Sequence, residues 1–443
     1  MFQNKFFLIS LFFIIITLIL SSLLGSFLFG VKVGLKRENP YFDKILNLYN
    51  ISKNYDFKIS KIFDKAHLQK VKKNEQKKIN YKTLLLENKI GIQSGNIPEN
   101  LIIAATLSLL EDNKKVNHYL IFLKENKIIH KITLDETNFK KVENYHKWPH
   151  GLIIDNLEHV YYNFDSGNSL IKKDLCGNVI WQIEGKFHHL MSINENYLWV
   201  LKKENFGDYD TSENFLKVNA FDGKILDSFN TKDLIKANLP YDYFSIKQRD
   251  LSSVWDYEPF HYNDIDVLTN KFSKYFDNFN EGDLLISSRS LNSIFVVDPK
   301  NLKVKKFLFG LARRQHDPDW NKGYVSIYDN QTEWGYTSSG EEIRYFNSRI
   351  IKIDQLDGKN LETINYKSPF ISDARGNHEI LDLGKDKIFS LIISPYEGKL
   401  LLFDGKNLIY SLENNQKGEV LPISNGKIIK NNKIIDNIKR CKK

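Results

Sequence analysis

His150, the adjacent pair His188-His189, His261, His316 and His378 each head a stretch of alternating apolar residues, and this shared position is the main chemical signal in the chain. Imidazole serves as general base, general acid or nucleophile near neutral pH. Polar and cationic residues accompany the later histidines: Asn263 and Asp264 follow His261, Arg289 ends the run Ser287-Ser288-Arg289, and Arg313-Arg314-Gln315 precedes His316. Asp329-Asn330 and then Arg349 come after it. Such a donor-rich, basic set suits an oxyanion such as sulfate or phosphate. Taken singly, each histidine also fits a hydrogen-bonded strand start, and each arginine a solvated surface charge. His67, His118, His130, His146 and His159 lack the register and receive no role. There is no HExxH pattern, no Walker loop, no GxGxxG and no GxSxG, so neither a metal nor a nucleotide cofactor is expected.

The elements that must position these residues are strands. From about Leu101 onward, short runs rich in Ile, Leu, Val, Phe and Tyr alternate with Asn, Asp and Gly turns. A unit recurs: a histidine, a strand, a hairpin, then Asp-x-x-Gly or a close variant, and a last strand. Copies begin at His150, His188-His189, His261 and His316 and surround His378; LIIAATLSLLEDNKKVNHYLIFLKENKIIHKITL supplies a sixth without a leading histidine. Repeats of four short strands predict an all-β, six-bladed β-propeller, in which each small sheet buries its faces against its neighbours. A histidine opening each innermost strand would place several imidazoles around one end of the central channel. The longest interruption, about residues 227–258, carries Tyr241, Tyr243, Trp255 and Tyr257 and is expected to form a loop over one face.

The formal net charge of +9 is spread along the chain and is densest in KVKKNEQKKINYK, which reads as a solvated lysine face; no nucleic-acid module accompanies it. Cys176 and Cys441 are too few for a disulfide framework or a cysteine-rich metal site. Phe6 to Val31 is 26 residues without a charge, long enough as a helix for the ~30 Å hydrocarbon core of a bilayer. The expected division is a short tail (1–5), a transmembrane anchor (6–31), a partly helical stalk (32–84), the propeller (85–438) and a basic tail (439–443). Lys32, Lys36 and Arg37 after the anchor, against Lys5 before it, would hold the body in the cytoplasm by the positive-inside rule.

Two pairs of segments resemble the arylsulfotransferase family: FHYNDIDVL with GDLLISSRSLNSIFVVD, and QHDPDWNKGYVSIYDN with NSRIIKID. The similarity runs over about residues 145–420, and FGVKVGLKRENPYF is similar to membrane-anchored members. The resemblance implies transfer of a sulfuryl group from one phenol ester to another phenol through a sulfohistidine, without a nucleotide donor, outside the inner membrane on the periplasmic side. It matches His261 and His316 to two active-site histidines, and Arg289 and Asp329-Asn330 to the segments beside them. Departures occur where the family's catalytic arginine would follow Asp329-Asn330, leaving Arg344 or Arg349, and in the last blade, where DKIFSLIISPYEG has no histidine and His378 lies upstream.

His316, His261, His378 and Arg349 are therefore the expected catalytic residues, and Arg289, Asn263, Asn330, His189 and His150 the expected substrate contacts. The expected partners are an anionic or phenolic small molecule and the membrane, not nucleic acid. The sequence also fits a non-catalytic propeller that binds such a ligand or scaffolds an envelope complex, or a metal-dependent, lactonase-like hydrolase.

Overall fold

The computed structural model describes residues 82–86, 89–110, 116–135, 148–156, 158–164, 167–203, 213–241, 260–331, 335–336, 342–343, 347–384, 387–416, 418–430 and 433–441. The proposed anchor and most of the stalk lie outside the described residues. No helix among those described is long and apolar enough to cross a membrane.

Six antiparallel sheets form the blades of a propeller. Blades two to five run in simple sequence order from the innermost strand outward, starting at Pro149–Ile154, Lys186–Asn194, Tyr262–Val267 and His316–Trp320. Blade six starts at Asn377–Asp382 and is widened to six strands by Lys89–Gly95 and Lys82–Leu86 on its outer edge. Blade one is the composite. Its innermost strand, Ile423–Ile429, comes from the C-terminal end of the chain and pairs with Ile102–Leu110, so the ring closes by strand exchange. This explains why the repeat at Leu101 lacks a leading histidine: its innermost strand lies far along the chain, with Asn425 319 residues from Thr106, and presents Ser424 and Asn425 instead.

The two-residue period of a strand sends alternate side chains to the two neighbouring blades. Along Ile102–Leu110, Ile102 and Ala104 join the apolar layer shared with blade two, while Ile103, Ala105 and Leu107 join the layer shared with blade six. Six such layers, one per blade interface, make up the core.

Asparagines stitch the inner strands of adjacent blades. Asn425 Nδ2 donates to the His150 carbonyl at 3.1 Å, Asn163 to that of His189 at 3.1 Å, Asn263 to that of Gln315 at 2.7 Å, and Asn330 to that of Arg375 at 2.9 Å. Each bond fixes the backbone at or next to a histidine or arginine of the next blade. Gly151 belongs to this seam, because a Cβ there would lie 2.6 Å from the His189 carbonyl oxygen.

Three helices among the described residues depart from the all-strand pattern, the shortest being the single turn Asn270–Ser273. Thr231–Asn238, inside the interval expected to be a loop, starts with a capping box between Asn230 and Asp233 and covers the outer edge of blade four through Asn238 and Leu302. Lys433–Arg440 presses Ile434 and Ile438 into the layer between blades one and two. Beyond it, Cys441 is disulfide-bonded to Cys176 in a turn of blade two. The two cysteines, given no role from sequence, thus tie the closing segment to the ring across a separation of 265 residues. Closing so long a loop restricts the unfolded chain, so replacing both cysteines with serine should cost about 2–5 kcal/mol, read as a lower denaturant midpoint that dithiothreitol reproduces in the parent protein.

Candidate active site at the channel mouth

The innermost strands of blades two to five each carry a register irregularity, at Pro149/Leu152, His188/Ser192, Tyr262/Asp264 and His316/Asp319. A β-bulge adds a residue to one strand and re-aims side chains. His189 (φ 60°) and Asp317 (φ 51°) take up left-handed backbone within these stretches, and His261 (φ 45°) does so just before its own. Non-glycine residues pay for that conformation, and its concentration here marks a geometry imposed by the surrounding fold.

The bulges bring imidazoles together. The His189 ring centroid lies 4.4 Å from that of His150 and 4.9 Å from that of His261. His188 stands behind His189 with the two Nδ1 atoms 2.6 Å apart. His316 donates or accepts at Nδ1 with Asn330 Oδ1 (2.7 Å), and since that oxygen can only accept, Nδ1 carries the proton. Its Nε2 then accepts the Arg375 backbone N–H at 3.1 Å.

Two guanidinium groups complete the mouth. Arg289 is buried, with its backbone N–H on the His261 carbonyl, and its charge reaches His316. Arg375 acts on both His316 and His150. Its guanidinium lies 4.6 Å over the Trp148 ring and 5.8 Å over that of Tyr396, which pack edge to face. Gly376 permits this placement, because a Cβ there would meet the Tyr328 ring at 2.6 Å and φ is +110°. The arrangement offers cationic donors beside neutral imidazoles and an aromatic wall.

His316, His150 and His189 are held neutral. Burial pushes His316 down to about 3, with Arg289 and Arg375 adding to it against the Asn330 hydrogen bond. Burial, then neighbouring positive groups, also holds His150 and His189 well below the usual histidine range. For stability the sign follows directly. Above about pH 6.5 the ring is neutral in both states; below it the unfolded chain binds a proton that folded His316 refuses until about pH 3, so stability falls as pH falls through that window. The expected result is that His316→Gln gains in melting temperature relative to the parent as the pH is lowered from 7 to 4, measured by calorimetry at each pH.

The remaining expected site residues sit as follows. Asn330 holds His316; Asn263 is buried and holds blade five, and its Oδ1 accepts no hydrogen bond among the described residues. His378 is fully buried and bonded at both ring nitrogens, to Asp317 Oδ2 (2.8 Å) and Ser326 Oγ (2.7 Å). Its inner strand has no bulge, and it joins a second group with Asp319 rather than the ring of imidazoles. Arg349 pairs through Nε with buried Asp329 at 2.8 Å, and Asp329 in turn accepts the Arg313 backbone N–H. Arg349 therefore braces the Asp329-Asn330 corner.

The second group lines the channel wall. Asp264, Asp266, Asp317, Asp319 and Glu379 surround Lys427 of the closing strand. Burial raises Asp264 and Asp319 well above the usual carboxylate range and Asp266 to about 6, with neighbouring carboxylates adding to the first two. Burial alone would lower Lys427, but Glu379, Asp319, Asp317 and Asp266 together hold it raised. Ligand atoms of Asp317, Asp319 and His378 lie within 4.8 Å of one another, close enough for a cation. His378 is already committed to Asp317, and Lys427 supplies the positive charge, so the group is read as an internal ion network.

Arg375, Trp148, Tyr396, Glu213 and Lys427 were not singled out from sequence. For Arg375 a signal existed: Arg375-Gly376-Asn377-His378 repeats the Arg-x-x-His spacing of Arg313 to His316. Glu213 is placed by a contact within blade three and the others by contacts between blades, none of which leaves a local pattern.

The fold and mouth define a β-propeller whose chemistry is that of neutral histidines and arginines at one end of the channel. The model of the arylsulfotransferase (ASST) family matches residues 158–407. That is more than half of the chain, which belongs to this family. No curated protein matches it. Among solved structures it is similar to a protein of unknown function from Bacteroides caccae, with a TM-score of 0.44 at 10% identity, covering 76% of this chain and 100% of that one. The Pan2 WD40 domain of Neurospora crassa gives 0.38 at 10%, over 77% and 79% of the two chains.

Proposed function

We propose that the protein transfers a sulfuryl group between phenolic esters through a covalent sulfohistidine, without a nucleotide donor. The observation that carries this reading is the convergence of His150, His189, His261 and His316, all shielded from water, with Arg289 and Arg375 at one mouth. Neutral imidazoles keep the lone pairs that a nucleophile or base needs. The guanidinium groups neutralise the sulfuryl oxygens and the departing aryloxide, where charge builds in the transition state. Trp148 and Tyr396 beside Arg375 offer an apolar surface for the aryl ring.

Residues 6–31 serve as a membrane anchor in this reading, and the propeller works on the periplasmic side of the inner membrane. The Cys176–Cys441 bond supports that side against the positive-inside rule, since disulfides persist outside the reducing cytoplasm. The test is incubation of the full-length chain in detergent with p-nitrophenyl sulfate and a phenol acceptor. Acceptor-dependent nitrophenol release is expected. Saturable binding of aryl sulfates with no release would favour a ligand-binding propeller instead.

A further inference from the structure

His189 is backed by a relay of two buried residues, His188 and Glu213. Glu213, fully buried, lies with Oε1 2.5 Å from His188 Nε2. A carboxylate only accepts, so His188 carries its proton on Nε2 and presents a lone pair at Nδ1. The 2.6 Å contact between the Nδ1 atoms of His188 and His189 needs one proton, which must then sit on His189. His189 Nε2 is left with its lone pair. That atom makes no hydrogen bond among the described residues, and the ring faces those of His150 and His261. By contrast, His316 Nε2 is occupied by the Arg375 backbone N–H, and both nitrogens of His378 are bonded.

Resting on the sulfuryl-transfer reading, we infer that His189 is the nucleophile and that Glu213 and His188 are positioning residues that fix its tautomer and take up its proton. The Nε2 lone pair forms the N–S bond as the bond from sulfur to the aryl oxygen breaks, its electron pair leaving with the aryloxide beside Arg289 and Arg375. The Nδ1 proton of His189 passes to Nδ1 of His188, giving an imidazolium against the Glu213 carboxylate and a neutral sulfated imidazole ring. The acceptor oxygen then attacks sulfur, the N–S electron pair returns to Nε2, and the proton returns from His188 to His189. The phenolic proton of the acceptor is the one the first aryloxide gains, so no net proton is consumed. The buried second oxygen of Glu213, Oε2, has no hydrogen-bond partner among the described residues, which leaves the carboxylate's charge available to the imidazolium.

The experiment uses the full-length chain in detergent and has two arms. In the first, the protein is exposed to p-nitrophenyl sulfate without acceptor, digested at alkaline pH, and its peptides are mapped for the sulfuryl group. The expected adduct is on His189, and Glu213→Gln is expected to lower kcat by about 10²–10⁴-fold, as for a misoriented catalytic histidine, with KM nearly unchanged. An adduct on His150, His261 or His316 overturns the assignment while leaving the transfer reading intact. Absence of nitrophenol release by the parent protein, with or without acceptor, removes the transfer reading and the assignment with it. In the second arm, long-range ¹H–¹⁵N NMR of the resting protein reads the His189 tautomer directly. A proton on Nδ1, lost from that position in Glu213→Gln, is expected; a proton on Nε2 in the parent protein overturns the relay whatever the turnover.

Discussion

Arg375→Met is expected to lower kcat for aryl sulfate turnover by about 10²–10³-fold, the usual loss when one preorganised oxyanion donor is removed. The side chain alone is lost in this variant. The Arg375 backbone N–H remains on His316 Nε2, and Asn330 still holds the Arg375 carbonyl, so the imidazole keeps its orientation. Stability should change little, because the guanidinium is only partly buried against Trp148 and Tyr396. Steady-state kinetics and a melting curve on the same preparation check both statements. A fall in kcat with an unchanged melting temperature is the expected pair.

Lys427→Met should instead strike the fold. Its ammonium stands among Asp266, Asp317, Asp319 and Glu379, and methionine removes the charge that offsets all four. Removing one partner of a sealed ion pair costs about 3–5 kcal/mol, and since Lys427 is only partly buried, about 2–3 kcal/mol is expected. The loss has a pH sign. Without the lysine, the carboxylates hold protons to higher pH than in the unfolded chain, so folding takes up protons and stability falls as pH rises. Urea unfolding at pH 5 and pH 8 should therefore show the larger deficit at pH 8.

The two variants separate what the sequence displays from what it hides. The six blades are visible because strand alternation and turn residues are local, and each unit repeats them. The shared register of His150, His188-His189, His261 and His316 is visible for the same reason. Which side chains actually meet depends on bulges in the inner strands, and a bulge is set by packing against the next blade. That is why His378, in the same sequence register as the others, is engaged by Asp317 and Ser326, on a strand without a bulge. Arg349 likewise reads as an oxyanion clamp beside Asp329-Asn330, yet its partner is Asp329 itself. Ring closure by Ile423–Ile429 joins segments about 300 residues apart and brings Lys427 into the channel; no periodicity announces it. Glu213 becomes meaningful only once the strand that follows it is laid beside Tyr197–Lys203, the strand that pairs with that of His188.

Sulfuryl transfer through a covalent histidine has a kinetic signature that distinguishes it from direct transfer in a ternary complex. The most direct test is a matrix of initial rates over p-nitrophenyl sulfate and phenol acceptor concentrations. Parallel lines in double-reciprocal plots are expected, the pattern of a donor half-reaction completed before the acceptor binds. Intersecting lines, or nitrophenol release that does not respond to the acceptor, would contradict it.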